Sequence, residues 1–516
     1  MRSFALLHVA FLALFAYSLH GTGLCCDDFD VALSRADDPW FGYLLANPAN
    51  ILTHGLPFRW IGYERQWLYD LLKFGWVAAA YAMTCRFGSL FFPPARAALF
   101  AALFVFYPSH DATSFWFTTQ YLLLTAAFYL YAFYLASRER LWSAAAMATL
   151  GSFVSYGSSP WAFGLGLAWL AQRQFRRAAV LLIPNLVYIG YYAALTLGLG
   201  LGNKRLPSEV DFASLARNLV LQIAGGVDAV FGPSLWLKLW YALGSLTLAS
   251  ALVGAAIIVL LAHSARVVLL ARGARGAGER PRVPRPLWVA VAAVALGGFG
   301  MFALTGGYPQ SAFGMGNRVT VYASFAAAVV LACATRHTWS SGMLAALLVF
   351  ASLGLSDHWR EWRGVQDATI AAVRGDADLA SGRLGTDRLF VVGHDYSRLG
   401  AIAHIAFLAH PWIADPVFRI ALGRGKAFST VPLTSRFTVE PGALVNSGDG
   451  QRYPVAGEVL VYDSQARQLR RIDLEDMPRF IATLETPKRH WIQLVEIPWI
   501  RSLILRWMPQ LGYLWR

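Results

Sequence analysis

The chain has 516 residues, of which 57% are hydrophobic and only 14% charged, with a formal net charge of +14 at neutral pH. Together with a mean hydropathy of +0.46 and apolar residues gathered in long runs, this excludes an ordinary soluble globule and describes an integral membrane protein. The excess of 44 Lys and Arg over 30 Asp and Glu then belongs to cytoplasmic loops and lipid headgroups, and no nucleic-acid partner is expected.

From the amino terminus, Ser3 to Leu24 is an apolar segment with one arginine before it and no small-x-small cleavage site ahead of the cysteines, so a retained helix is expected. Further apolar runs follow at Gln66 to Cys85, Ala97 to Phe106, Tyr121 to Ala136, Trp142 to Tyr156 and Trp161 to Ala171. The rest lie at Ala178 to Leu199, Leu235 to Ala262, Pro286 to Leu304, Val319 to Ala334 and Gly342 to Leu355. By hydropathy these make about eleven spans. The segment Phe212 to Phe231 is apolar but interrupted by Gly225, Gly226 and Asp228, and is placed at the membrane interface.

Arginine placement sets the orientation, because cytoplasmic loops concentrate Lys and Arg near helix ends. Arg2, Arg86, Arg96, Arg138, Arg140, Arg173, Arg176, Arg177, the arginine-rich loop His263 to Pro286, and Arg336 all fall on one side when helices are counted alternately. The opposite, non-cytoplasmic side collects Asp27 to Arg65, Tyr107 to Phe115, Tyr156 to Pro160, Gly200 to Pro233, Thr305 to Arg318 and the tail after Ser356. The fold class is therefore an α-helical polytopic membrane protein, residues 1–355, carrying a small mixed α/β carboxy-terminal domain, residues 356–516, outside the cytoplasm. In that domain a helix is expected over Trp359 to Ala380, a strand over Arg388 to Val392, a helix over Ala401 to Leu408, and paired strands over Glu458 to Asp463 and Gln468 to Asp473. Trp499 to Arg516 interleaves aromatic and basic residues and reads as an interfacial anchor or domain core.

Three outer segments carry residue types suited to chemistry. Asp27, Asp28 and Asp30 crowd three carboxylates at a helix exit; their repulsion raises at least one pKa, which suits a base that takes a proton from an acceptor hydroxyl. An acidic loop without function is the competing reading. In the second, Tyr107-Pro108-Ser109-His110-Asp111, His110 and Asp111 could orient an acceptor, Trp116 could stack on a sugar face and Gln120 could contact it; a capped helix start with an aromatic belt competes. The third is Gly314-Met315-Gly316-Asn317-Arg318, whose guanidinium fork suits phosphate oxygens, with Arg59 and Arg65 as similar candidates; snorkelling or pairing with Glu64 competes. The small-residue break Tyr156-Gly157-Ser158-Ser159-Pro160 lets backbone approach a ligand or simply turns. The four cysteines, Cys25, Cys26, Cys85 and Cys333, form no disulfide framework, and an arginine-based phosphate site makes a metal or other cofactor unnecessary.

With these residues in view, the chain resembles the GT-C superfamily of membrane glycosyltransferases, in particular bacterial relatives of the TMTC-like O-mannosyltransferase branch. Asp27-Asp28 with Asp30 resembles the acidic motif of the first outer loop, and Pro108, His110 and Trp116 resemble the second-loop pattern. Ala112 stands where that pattern has Glu and Gln120 where it has Arg, with Asp111 one residue early. Arg65, Ser155 to Pro160 and Asn317-Arg318 resemble the remaining features, over roughly Met1 to Leu355. The resemblance implies transfer of a sugar, with inversion, from a polyprenyl-phosphate-linked donor to a glycan, lipid or protein acceptor. It also implies a multi-pass protein of the bacterial inner membrane, embedded in membrane lipid, with a periplasmic site. A transporter or flippase of a lipid-linked or anionic substrate, and a surface-glycan polymerase or ligase, are the alternatives.

Overall fold

A computed structural model describes residues 2–33, 45–198, 200, 211–273, 285–306, 308–335, 338–381, 384, 386–423, 426, 428–485 and 498–507. Among the described residues, five helices are long and apolar enough to cross a membrane: Phe117–Ser137, Phe175–Gly198, Arg285–Thr305, Met315–Ala334 and Trp339–Gly375. A sixth crossing is supplied if Phe212–Phe231 and Pro233–Gly244, bent by 41° where they meet, act as one span. The other apolar runs form helices of unequal length. Pro94–Val105 and Ser159–Leu170 have 12 residues each, a rise of about 18 Å against a hydrocarbon core of about 30 Å. Large apolar side chains face outward all round the bundle, among them Trp142, Leu197, Leu248, Leu252 and Trp339; such a surface is stable in lipid rather than water.

Two expected elements differ. The run Leu235 to Ala262 breaks at Ser245, giving helices Pro233–Gly244 and Leu248–Gly273. Asp357, on a distant stretch of chain, makes the break stable: it accepts from the Thr247 amide at 2.8 Å, the Thr247 hydroxyl at 2.9 Å and the Ser250 hydroxyl at 2.8 Å, capping the second helix in trans. The last span does not stop at Ser356. It continues as one helix, Thr338–Gly375, across the compositional boundary. Gly354 permits this helix to cross Pro233–Gly244 closely, since a Cβ there would collide with the Ala242 carbonyl.

The carboxy-terminal domain is built on a sheet of β1 (Arg388–Val392), β4 (Ser429–Pro432), β8 (Glu458–Asp463) and β9 (Gln468–Asp473), in the order β4-β1-β8-β9. β1 runs parallel to β4 and β8, and β8 pairs antiparallel with β9. A hairpin joins β2 (Tyr396–Leu399) to β3 (Ile402–Ala406), and β5 (Phe437–Glu440), β6 (Ala443–Asn446) and β7 (Arg452–Pro454) form a separate antiparallel sheet. The expected helix over Ala401 to Leu408 is thus strand β3. Its residues are covered on both faces, with His404 the one polar side chain among them, which removes the period-2 signature, and Gly400 makes the turn at φ +61° with the Tyr241 ring against it.

This domain sits on the loops that carry Asp27 to Leu33 and Asp111. Helix Pro411–Leu422 packs on Asp28–Leu33, Phe407 meets Phe29 at 5.9 Å between ring centroids, and the Cys26 thiol donates to the Ala406 carbonyl at 3.3 Å. Helix Pro498–Trp507 covers the start of the expected anchor; the remainder, from 508, lies outside the described residues. So do parts of the basic loop at 274–284, and Arg336.

Candidate active site at the outer loops

The first helix, Arg2–Leu19, is stopped by Gly21 and Gly23, both with positive φ, and its orphan groups are met by charges from other helices. Asp70 accepts from the Gly21 and Gly23 amides at 2.8 Å each, and Lys73, 3.0 Å from Asp70, donates to the Gly23 carbonyl at 2.7 Å and the Phe115 carbonyl at 3.3 Å. Arg360 takes the carbonyls of His20 and Tyr17, and Arg363 that of Leu24, a placement of cations that a helix carboxyl end favours. The loop is fixed before the aspartates begin.

The three aspartates differ sharply in surroundings. Asp28 is fully buried; it accepts from the Cys25 amide at 3.0 Å, the Thr118 amide at 2.9 Å and the Thr118 hydroxyl, tying the first outer loop to the second. Burial raises its carboxyl to about 6, against the opposing pull of the Thr118 hydroxyl and the Cys25 amide. Asp27 is only partly buried, accepts from the Trp412 indole at 3.0 Å, and follows Cys26, which holds a left-handed backbone at φ +55°. Asp30 is also partly buried, on the short helix Asp28–Leu33.

In the second loop Asp111 is a saturated hub. One carboxylate oxygen accepts from Lys238 at 2.7 Å and Asn317 at 2.5 Å, the other from the Trp359 indole at 2.9 Å and His404 at 2.9 Å. His404 receives the Gly314 amide on Nδ1 at 3.3 Å, so its proton sits on Nε2 facing Asp111. Burial opposes the charge of Asp111, but Lys238 and His404 outweigh it and hold the carboxyl well below the usual range. Five segments meet on one side chain. His110 beside it points elsewhere, edge-on to Phe104 at 5.9 Å and Tyr107 at 6.3 Å, and burial lowers it to about 4, keeping it neutral.

Arg318 belongs to the turn Met315–Thr320, opened by Gly314 at φ +70°. It is buried, with its guanidinium 5.0 Å from the Trp116 ring centre and 4.5 Å from that of Tyr308. Tyr308 is held by Gln222, which donates to its carbonyl at 2.8 Å and accepts the Gln310 amide at 3.1 Å. Tyr121, Tyr156 and Asp27 lie within electrostatic range of the guanidinium, and Ser155 shapes the small-residue turn by accepting the Gly157 amide at 2.9 Å. The ring faces are satisfied; Nε and Nη1 have no hydrogen-bond partner among the described residues. A buried cation so framed has the donors to receive an anion from outside the chain.

The structure therefore sets Trp116 against Arg318, ties Asp28 and Asp111 into the scaffold through buried hydrogen bonds, and bonds Asp27 to Trp412. Gln120 is buried and donates to the Ser114 carbonyl at 2.8 Å, its Oε1 having no partner among the described residues. Arg59 and Arg65 lie exposed on the flank, and the partner of Glu64 is Arg374 at 3.9 Å rather than either of them. Sequence reasoning missed Asp70, Lys73 and Lys238, although ionisable residues inside apolar runs are a standing signal of a constrained site. No protein-family model, curated protein or solved structure matches the chain.

Proposed function

We propose that the protein is a GT-C-type glycosyltransferase, taking a sugar from a polyprenyl-phosphate-linked donor at the outer, periplasmic face of a bacterial inner membrane. The observation that carries this reading is the buried Arg318, framed by Trp116 and Tyr308, with Nε and Nη1 unpartnered among the described residues. An anion receptor in the loops of an apolar bundle, in a chain that also holds a partly buried carboxylate at Asp27, matches the needs of a reaction whose leaving group is a lipid-borne phosphate.

In this reaction Asp27 takes the proton of the acceptor hydroxyl as its oxygen attacks the anomeric carbon from the face opposite the phosphate. The bond from that carbon to the phosphate oxygen breaks, its electron pair stays on the phosphate, and the configuration inverts. Arg318 meets the charge that grows on the leaving group; such preorganised stabilisation is the main catalytic term. Asp28, closed by its three donors, positions the loop, so Asp27 is the preferred base. Asp111 and His110 hold the second loop.

The test uses purified protein in vesicles with a set of radiolabelled polyprenyl-phosphate sugars and a mixed envelope extract as acceptor. Asp27→Asn and Arg318→Gln are expected to abolish release of polyprenyl phosphate while binding-site folding persists. Movement of the intact lipid-linked sugar across the vesicle, without cleavage, would instead make the chain a transporter or flippase.

A further inference from the structure

The carboxyl ends of three parallel strands, β4, β1 and β8, open on one edge of the sheet. The chain leaves β1 toward β4 on one flank and reaches β8 on the other, so the connecting segments diverge and leave a crevice above β1. A cavity of about 700 Å³ occupies that crevice, closed on its far side by Glu361 and Trp362 of the long helix Thr338–Gly375. This volume falls in the range of sites that hold a ligand of several rings.

A second cavity of about 250 Å³ adjoins it, and the two share Asp395, Tyr396, Pro432 and Thr434 in their walls. The second cavity reaches Trp412, whose ring stacks on His410 at 4.4 Å and stays half exposed, and whose indole donates to Asp27 at 3.0 Å. These adjoining cavities, called the groove below, extend from the crevice over β1 to Trp412, the side chain bonded to the candidate base.

Its chemistry is mixed in a particular way. Carboxylates and guanidinium groups alternate, with Arg398 placed 3.8 Å from Asp395 and 3.5 Å from Glu485, and Arg470 3.1 Å from Asp463. The walls hold more acid than base, which disfavours an anionic polymer. Such pairs present acceptors and donors side by side, as a ligand hydroxyl requires because it both gives and takes a hydrogen bond. Trp362 and the half-exposed Trp412 supply aromatic surface along the same path.

We propose that this groove seats an uncharged oligosaccharide and delivers its terminal hydroxyl to Asp27, so that the acceptor is a preformed glycan chain several units long. The proposal rests on the glycosyltransferase reading and names its acceptor.

The test measures binding of the full-length protein in nanodiscs to an array of neutral and acidic oligosaccharides in ladders of increasing length. At least one neutral ladder is expected to bind more tightly as it lengthens, and Trp412→Ala and Arg398→Ala are each expected to weaken it by about tenfold, the scale of one lost contact. Retained binding of undecaprenyl phosphate shows that each variant is folded. Failure of every neutral ladder, binding of acidic glycans alone, or wild-type binding in both variants overturns the proposal. If neutral ladders bind while undecaprenyl phosphate does not bind even to the wild type, the donor reading fails and the groove assignment stands.

Discussion

Arg318 is held by its faces and not by its edges. Trp116 and Tyr308 flank the guanidinium, leaving Nε and Nη1 available, and a phosphate oxygen arriving there would gain charge-assisted hydrogen bonds worth about 1.5–3 kcal/mol. Arg318→Gln should therefore weaken binding of a lipid phosphate by about ten- to a hundredfold. Arg318→Lys should recover part of that loss as a point charge without the planar fork. Asp28 makes a separate prediction through pH. Its folded carboxyl titrates at about 6, above the ordinary value of 3.8, so the unfolded chain releases that proton first. The stabilising contribution is then present below about pH 4 and is lost as pH rises through about 6. Thermal unfolding across this window should show wild-type protein losing stability with rising pH relative to Asp28→Asn; a constant difference between the two would contradict the buried, charge-averse site. Residue types and spacing pointed to Asp27, Asp28, Asp111 and Arg318. Which of them is enclosed and which stays accessible was not in the sequence, because it depends on Thr118, Lys238, His404 and Trp412 arriving from distant segments.

At the scale of elements, charges inside apolar helices set how the pieces meet. Lys238 neutralises Asp111 and donates to the Ala312 carbonyl at 2.5 Å. Lys238→Met should leave a buried carboxylate uncompensated and cost about 3–5 kcal/mol. Thermal unfolding in detergent reads this directly, and a change below about 1 kcal/mol would mean that Asp111 is solvated. Asp357 acts on a helix to which it does not belong. Asp357→Ala should remove the cap of Leu248–Gly273 at a cost of about 1–2 kcal/mol, visible as faster amide exchange in residues 248–252 with little change in Arg2–Leu19; uniform protection would contradict the cap. Hydropathy located these helices well but not their breaks. The cap at Thr247 is written at position 357, and β3 carried no alternation because the hairpin is covered on both faces. The pair β8 and β9 was legible all the same, although β8 too is buried on both faces, because its apolar run is bounded by a short turn and answered by the more exposed, alternating β9.

For the whole molecule, the carboxy-terminal domain packs on the loops of Asp27 and Asp111 and is joined to the bundle by a continuous helix. His404, bonded to Asp111, His358, bonded to Ser397 at 2.9 Å, and Trp412, bonded to Asp27, form its polar fastenings. Composition marked a change near Asp357, and the arginine map assigned the loops to a common face. Neither could show that the tail reaches Asp27 and Asp111, since those two contacts join residues 385 and 293 positions apart. The claim on which the functional reading depends is that Arg318 receives a lipid-borne phosphate. Equilibrium binding of undecaprenyl phosphate to the full-length protein in nanodiscs tests it most directly. The account predicts saturable binding, competed by inorganic phosphate, that is preserved in Asp27→Asn and weakened by about tenfold or more in Arg318→Gln; equal affinity of Arg318→Gln and wild type would contradict it.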